Sequence, residues 1–168
     1  MPISRILVVG AGQMGAGIAQ VAAQAGMAVT LTDISVDYVR RGLDRISKAL
    51  SRLVDKGRLA AEQKDSILSR IAAAPDLETA ARGADLVIEA IVEDPAAKSE
   101  LWSRLADICP PDVIFASNTS SISITSMGRD SRRADRFIGM HFMNPVPVMQ
   151  LVEVVRGLET SDSVCDTI

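Results

Sequence analysis

Two rhythms of apolar residues alternate along this chain. Short runs with few polar residues, at 6–9, 27–32, 71–74, 85–94, 113–116 and 137–141, have the β-branched and leucine-rich character of strands buried in a sheet. Between them apolar residues recur every three or four positions, the spacing of a helix with one face against a core. The first such helix carries Met14, Ile18, Val21, Ala22 and Ala25 on one stripe, and Gly26 suits its C-terminal end. The second, 36–56, has apolar residues at 39, 43, 46, 50 and 53, a capping serine at Ser35 and a stop at Gly57.

The remaining helices follow from the same signals. A helix over about 60–71 turns back on the second to make a hairpin, and a short one over 77–81 leads to Gly83. Pro95 suits the first turn of a helix that runs to about Cys109, ended by Pro110 and Pro111. A further short helix starts at about Ile124, and 128–136 reads as a charged, solvated loop with mixed signs. Residues 144–147 impose an extended turn between the strand at 137–141 and a last strand over 150–155. Strands alternating with helices predict an α/β fold: a Rossmann-type, doubly wound, mostly parallel sheet, with the helical hairpin inserted after the second strand.

Composition narrows the class without changing the picture. A chain of 168 residues with 48% hydrophobic residues and a net charge of -3 is long enough for one well-buried domain. A mildly acidic balance with few aromatics gives no footprint for nucleic acid. Charges interrupt every apolar run well short of the ~20 residues that span a bilayer, so no membrane segment is expected. The first strand begins at about residue 4, leaving no room for a leader, which points to the cytoplasm. Cys109 and Cys165 form no C-x-x-C pattern and His141 is the sole histidine, so the expectations are reduced thiols and no metal.

The chemistry begins where the first strand breaks into Gly10-Ala-Gly-Gln-Met-Gly15, a G-x-G-x-x-G run between strand and helix. Gly10 would allow a tight turn, Gly12 would admit a pyrophosphate to the backbone, and Gly15 would let helix and strand approach closely. The helix N-terminus then offers free N–H groups to phosphate, although a glycine turn needed only for packing has the same letters. Asp33, at the tip of the second strand, could accept bonds from an adenosine ribose and repel a 2′-phosphate, favouring NAD over NADP; the alternative is a helix cap. Lys56, at the hairpin tip, is either a phosphate contact or a solvated lysine.

Polar residues gather at the ends of the later strands. Glu93 ends the fourth long run, while Glu89 within it must find hydrogen-bond partners or a proton and is read as structural. Ser117-Asn-Thr-Ser-Ser121 can donate to a carbonyl or ribose, or can form a cap and turn. His141 and Glu153 lie on strands joined by a short connection, which can set them side by side as a general base and its orienting carboxylate. A histidine satisfied by the backbone is the alternative. Met140, Met143 and Met149 lie nearby, as acyl-channel walls or as ordinary core.

With these residues in place the chain resembles the N-terminal domain of the 3-hydroxyacyl-CoA dehydrogenases, including the 3-hydroxybutyryl-CoA dehydrogenases, over essentially its whole length. The resemblance rests on residues 8–15, on Glu89-Ala-Ile-Val-Glu93, on Ser117-Asn-Thr-Ser-Ser121 and on the run 141–149, in the family's order. It implies NAD as cofactor and a 3-hydroxyacyl-CoA as substrate, oxidised to 3-oxoacyl-CoA. It implies His141 as general base, Glu153 as its partner and Ser120 as a hydrogen-bond donor to the reacting oxygen, hence a substrate contact. Gly10, Gly12, Gln13, Met14, Gly15 and Asp33 would hold the adenosine and pyrophosphate end. Glu93, Lys98, Asn118, Ser120 and Asn144 would line the nicotinamide side, and the hairpin with Lys56 would help hold coenzyme A.

The family continues into a helical C-terminal domain that closes the site and carries most contacts of a homodimer. Here Ser161 looks like the cap of a new helix that is cut short by Ile168, so 1–168 reads as one NAD-binding Rossmann domain of a truncated chain. Two other readings stand beside the enzyme: a module that binds NAD(H) without turnover, and a domain of the 3-hydroxyisobutyrate or 6-phosphogluconate dehydrogenase type. The latter relies on a later catalytic lysine, whereas this chain offers His141 and Glu153.

Overall fold

A computed structural model describes residues 3–74 and 76–168. Its strands are β1 (Arg5–Val9), β2 (Ala28–Thr32), β3 (Ile71–Ala73), β4 (Leu86–Glu89), β5 (Ile114–Ser117), β6 (Phe137–Phe142) and β7 (Val152–Arg156). Between them lie α1 (Gln13–Gln24), α2 (Val36–Asp55), α3 (Ala61–Leu68), α4 (Leu77–Ala81), α5 (Pro95–Ile108) and α6 (Ile124–Asp130), with α7 (Asp162–Thr167) after the last strand. One sheet has the order β3-β2-β1-β4-β5-β6-β7, parallel except for β7, which runs antiparallel to β6. This is the expected doubly wound arrangement, with α2 and α3 as the hairpin.

Burial on both faces explains the unbroken apolar runs. Val8, Ile18, Leu31, Ile46, Leu50 and Ile88 pack together on the α1 and α2 side, while Leu7, Val87, Trp102, Leu105 and Phe115 form the core on the α5 side. Trp102 meets Phe137 edge-on at 4.7 Å between ring centroids and Phe115 at 5.1 Å. The helix ends use the residues their chemistry favours. Ser35 caps α2, Asp94 caps α5 and Ser161 caps α7, the side-chain oxygen of each accepting the backbone N–H of the residue three positions on. Past α1, Gly26 takes φ +95 while its N–H and that of Met27 return to the carbonyls of Ala23 and Ala22.

Several boundaries differ from those read in the sequence. The helix expected to reach residue 71 stops at Leu68, because the Arg70 carbonyl accepts the Val29 N–H and draws Ile71 into the sheet. The run 85–94 is strand only as far as Glu89; there the Glu89 side chain accepts the Ile91 N–H and folds the chain back, so Glu93 stands on a loop. β7 begins at Val152 rather than at 150, since the Pro145 carbonyl accepts from both Val148 and Met149 and winds that segment into a turn instead of an extended passage.

The expected charged loop at 128–136 is also only partly a loop. α6 runs to Asp130 and a turn of 3-10 helix covers Ala134–Arg136. Arg133 is not a freely solvated cation: its guanidinium lies 4.4 Å from the Phe115 ring centroid and donates to the carbonyls of Ala106, Cys109 and Pro110. It satisfies carbonyls that the C-terminal end of α5 would otherwise leave open. Burial lowers its pKa from the usual guanidinium value, with the Cys109 thiol working in the opposite direction.

Candidate functional site

In a parallel sheet with this order the connections from β1 and β4 diverge to opposite sides, and a crevice opens at the carboxyl ends of the strands. The glycine turn, Asp33, Ala90, Ser117-Asn118 and Phe142 all follow carboxyl ends on this side of the sheet. Most of the predicted site residues therefore converge from the ends of five strands, although they are scattered along the chain.

The three fingerprint glycines have different jobs. At Gly10, φ is +104 and a Cβ would meet the Ala90 carbonyl oxygen at 2.5 Å, so turn and close approach both require glycine. A Cβ at Gly15 would stand 1.7 Å from the Gly10 carbonyl oxygen. α1 thus packs on the turn itself, with the Val8 side chain further off at 3.5 Å. At Gly12 an added Cβ would meet nothing within 4 Å. Packing does not require glycine there; the open space lies at the N-terminus of α1, where an anion can reach the backbone.

Asp33 faces the same turn. One carboxylate oxygen accepts the Ala11 N–H at 2.6 Å and the other accepts the Ile34 N–H at 2.7 Å. Capping of α2 falls to Ser35, which accepts from Tyr38, so the cap reading of Asp33 is removed. The open backbone at Gly12, the helix end and an acid held at the tip of β2 fit a dinucleotide with a free ribose 2′-hydroxyl.

A cavity of about 340 Å³ continues from this point, bordered by Met14, Glu93, Lys98, Asn118, Ser120, His141 and Asn144. Seven of the predicted residues thus share one space. Gln13 donates its side-chain amide to the Asn144 side-chain oxygen at 2.8 Å, tying the start of α1 to the turn after β6. Asn118 accepts the Phe142 N–H at 2.9 Å, tying the end of β5 to the end of β6. Lys56 lies away from this cavity, exposed at the end of α2.

His141 and Glu153 are direct partners in the antiparallel register of β6 and β7. Their side chains meet at 2.8 Å between Nδ1 and Oε2. A carboxylate can only accept, so it holds the proton on Nδ1 and leaves Nε2 with a lone pair. That is a proton acceptor on the cavity wall, with a carboxylate behind it to stabilise the cation.

Behind the other wall lies a cluster that the sequence reading gave only in part. Lys98 is buried and its ammonium bridges Glu89 at 2.5 Å and Glu93 at 3.1 Å. Glu93 also accepts from the Thr119 hydroxyl, the Ser120 N–H and the Ser121 hydroxyl. Partial burial pulls the Glu93 carboxyl up, but the Thr119 hydroxyl, Lys98 and the Ser120 amide outweigh it and hold it below the usual carboxylate range. Thr119 was missed as a partner because its neighbours are equally polar. The role of Lys98 toward Glu89 had a signal: a carboxylate in an apolar run needs a cation, and Lys98 lies on the next helix.

A second cleft, of about 380 Å³, lies between α1, α2 and the turn after β6. Gln13 and Asn144 form its near end, Arg45 and Arg52 its α2 side, and Pro145 and Val148 its apolar side. Asn144 borders both cavities. Among the described residues no cluster of three His, Cys, Asp or Glu could hold a metal, and no helix is long and apolar enough to cross a membrane.

The family model described as 3-hydroxyacyl-CoA dehydrogenase, NAD binding domain, matches residues 5–168. A probable 3-hydroxybutyryl-CoA dehydrogenase of Bacillus subtilis (strain 168) is 51% identical over 162 residues, 96% of this chain and 56% of that protein. A 3-hydroxyadipyl-CoA dehydrogenase of Escherichia coli (strain K12) is 44% identical over 164 residues, covering 98% of this chain and 34% of that one. The crystal structure of (S)-3-hydroxybutyryl-CoA dehydrogenase PaaH1 from Ralstonia eutropha superposes with a TM-score of 0.94 at 46% identity, over 96% of this chain and 57% of that chain. The chain spans about half the length of several curated relatives it matches.

Proposed function

The chain belongs to the NAD-binding-domain family of the 3-hydroxyacyl-CoA dehydrogenases, and from that premise we propose that it supplies the cofactor site and the proton-transfer pair for oxidation of a 3-hydroxyacyl-CoA to a 3-oxoacyl-CoA. The observation that carries the proposal is the 2.8 Å contact between His141 and Glu153 at a cavity shared with Ser120, Asn118 and Lys98. When bound, NAD would supply the acceptor for the hydride that leaves C3 of the substrate. Gly12, with the N-terminal amides of α1, holds the pyrophosphate, and Asp33 takes the ribose hydroxyls. Gln13 and Met14 flank that loop, while Glu93, Lys98, Asn118 and Asn144 line the nicotinamide side.

His141 removes the 3-hydroxyl proton through Nε2 as the C3–O bond becomes a carbonyl. Glu153 stabilises the resulting imidazolium and keeps the ring in one tautomer. The Ser120 hydroxyl donates to the same oxygen and fixes its distance from His141. The second cleft takes the coenzyme A portion, its apolar side against the pantetheine arm and Arg45, Arg52 and Lys56 toward the phosphates. In a protein of the relatives' full length this domain would work within a cytoplasmic homodimer. A module that binds NAD(H) without turnover is the second reading, favoured by the apolar side chains of Leu151, Val154, Val155 and Leu158 left exposed along and beyond β7.

Two assays separate these readings. Fluorescence titration of the purified chain is expected to give tighter binding of NADH than of NADPH. Consumption of NADH with acetoacetyl-CoA is expected to be slow in this chain. In a protein carrying the relatives' full length it should be fast, and His141→Ala should reduce it by about 100- to 10,000-fold while the NADH dissociation constant changes less than about twofold. Undiminished turnover by His141→Ala would remove the base assignment.

A further inference from the structure

The geometry points to Glu89 as a positioning residue that sets the nicotinamide side of the cavity through Lys98 and the 117–121 loop, an inference that rests on the cofactor reading above. Glu89 ends β4 with 0% of its surface exposed, and Lys98, at 1%, is buried beside it. Every oxygen of the carboxylate is used. Oε1 accepts from the Lys98 ammonium at 2.5 Å and from the Ile91 N–H at 2.8 Å, and Oε2 accepts from the Ser117 hydroxyl at 2.6 Å. The Ser117 oxygen in turn accepts the Thr119 N–H at 3.2 Å, and the Glu89 backbone carbonyl accepts the Asn118 N–H at 2.9 Å.

Glu89 does not border the cavity, but three of its four partners do. Lys98, Ile91 and Asn118 all line it. An ammonium has three N–H donors, and Glu89 and Glu93 engage two, leaving one for the cavity that Lys98 borders. Removing two buried charges from water costs several kcal/mol per ion, and an apolar pair of equal volume commonly packs as stably. A core that needed only filling would not require this cluster. Here it joins three segments, the loop after β4, the start of α5 and the loop after β5, and fixes the one cation between them.

The experiment compares two ligands on the same protein. ADP-ribose has the adenosine, pyrophosphate and ribose groups that meet the glycine turn and Asp33; NADH adds the nicotinamide. Glu89→Gln keeps the shape but turns an acceptor of three bonds into a group with its own donors, so Lys98 and Ser117 lose a common anchor. Its NADH dissociation constant is expected to rise about tenfold, the equivalent of one charge-assisted hydrogen bond, while that of ADP-ribose stays within about twofold. Ser117→Ala, which cuts only the Oε2 contact, should shift NADH in the same direction by about threefold and carries the test alone if Glu89→Gln does not fold. Equal shifts for both ligands, or NADH affinity within about twofold of wild type beside a lowered melting temperature, would reduce Glu89 to a packing role and overturn the inference. Wild-type protein that binds neither ligand would instead remove the cofactor reading itself.

Discussion

Gly12→Ala and Gly15→Ala each add one methyl group at the start of α1 and should fail in opposite ways. At Gly15 the new Cβ would lie 1.7 Å from the Gly10 carbonyl oxygen, where ordinary contacts need 3.4 Å or more. The obstacle is backbone, so α1 must retreat from the turn, and its buried residues Ile18, Ala19 and Ala23 must move with it. Overpacking of this kind costs about 1–3 kcal/mol or more, against a gain of about 1 kcal/mol from alanine's helix propensity. Because the clash at 1.7 Å is with backbone, the cost falls at the upper end of that range, and the net is a loss of roughly 2 kcal/mol or more, about 4–8 °C in melting temperature for a chain of this size. At Gly12 nothing lies within 4 Å and φ is -65, so alanine fits without strain. Weaker capping and a less flexible unfolded chain then offset one another to within about 0.5 kcal/mol. The same methyl group occupies the approach to the helix N-terminus. Displacing a pyrophosphate from one or two amide donors loses about 1.5–3 kcal/mol, a rise of roughly 10- to 100-fold in the NADH dissociation constant. Thermal unfolding and NADH fluorescence on both variants measure the two effects separately. A Gly12→Ala protein that melts as early as Gly15→Ala, or that binds NADH within about twofold of wild type, would refute the division of roles.

Two further outcomes concern stability and reactivity away from the cofactor. Asp85 accepts from the Arg5 guanidinium at 2.8 Å and from the Ser4 and Arg5 N–H groups, and the Arg5 contact foremost holds its carboxyl far below the usual carboxylate range. A depressed folded-state pKa stabilises above the unfolded value near ~4 and is lost as pH falls through the folded one. Asp85→Asn should therefore lower the melting temperature by roughly 2–4 °C at neutral pH, and the gap from wild type should narrow as the solution is made strongly acidic. Burial pushes the Cys109 thiol up to about 11, only partly opposed by Arg133, whereas Cys165 is half-exposed. A disulfide reagent at mildly alkaline pH should label one thiol per native chain quickly and the second only in denaturant; rapid labelling of both would show that α5 does not seal Cys109.

What could be read from the sequence was what local chemistry forces. A strand breaking into G-x-G-x-x-G at a helix start admits few geometries, and the serine, aspartate and glycine signals fixed most helix ends. The Glu89 and Lys98 pairing was less legible because it depends on where one strand stops. An apolar run of ten residues, 85–94, reads as continuous strand, yet its own Glu89 side chain competes for the Ile91 amide and ends the pairing early. Lys98 accordingly looked like a cofactor contact alone. Arg133 was misjudged for a related reason: a cation in a polar stretch reads as solvated unless the open carbonyls of α5 beside it are visible.

His141 and Glu153 could be paired in advance only because β7 reverses direction. In the parallel part of the sheet, side chains at crevice level come from the last residues of each strand, and neighbouring strands are separated by a whole helical crossover. Twelve positions apart in sequence, His141 and Glu153 meet because the chain leaves β6 at Phe142, turns through 143–151 and re-enters beside it. Glu153 is then the second residue of β7 rather than its last. The register leaves no latitude, since a slip of one residue would set Val152 or Val154 opposite His141 and turn the carboxylate to the other face of the sheet. Two contacts of the turn bear on that register: Gln13 holds Asn144, and the Pro145 carbonyl gathers Val148 and Met149. The start of α1, beside the glycine turn, is therefore tied to the turn that leads to Glu153. If the cofactor sits on Gly12 and His141 is the base, as proposed, the Gln13–Asn144 hydrogen bond links the two.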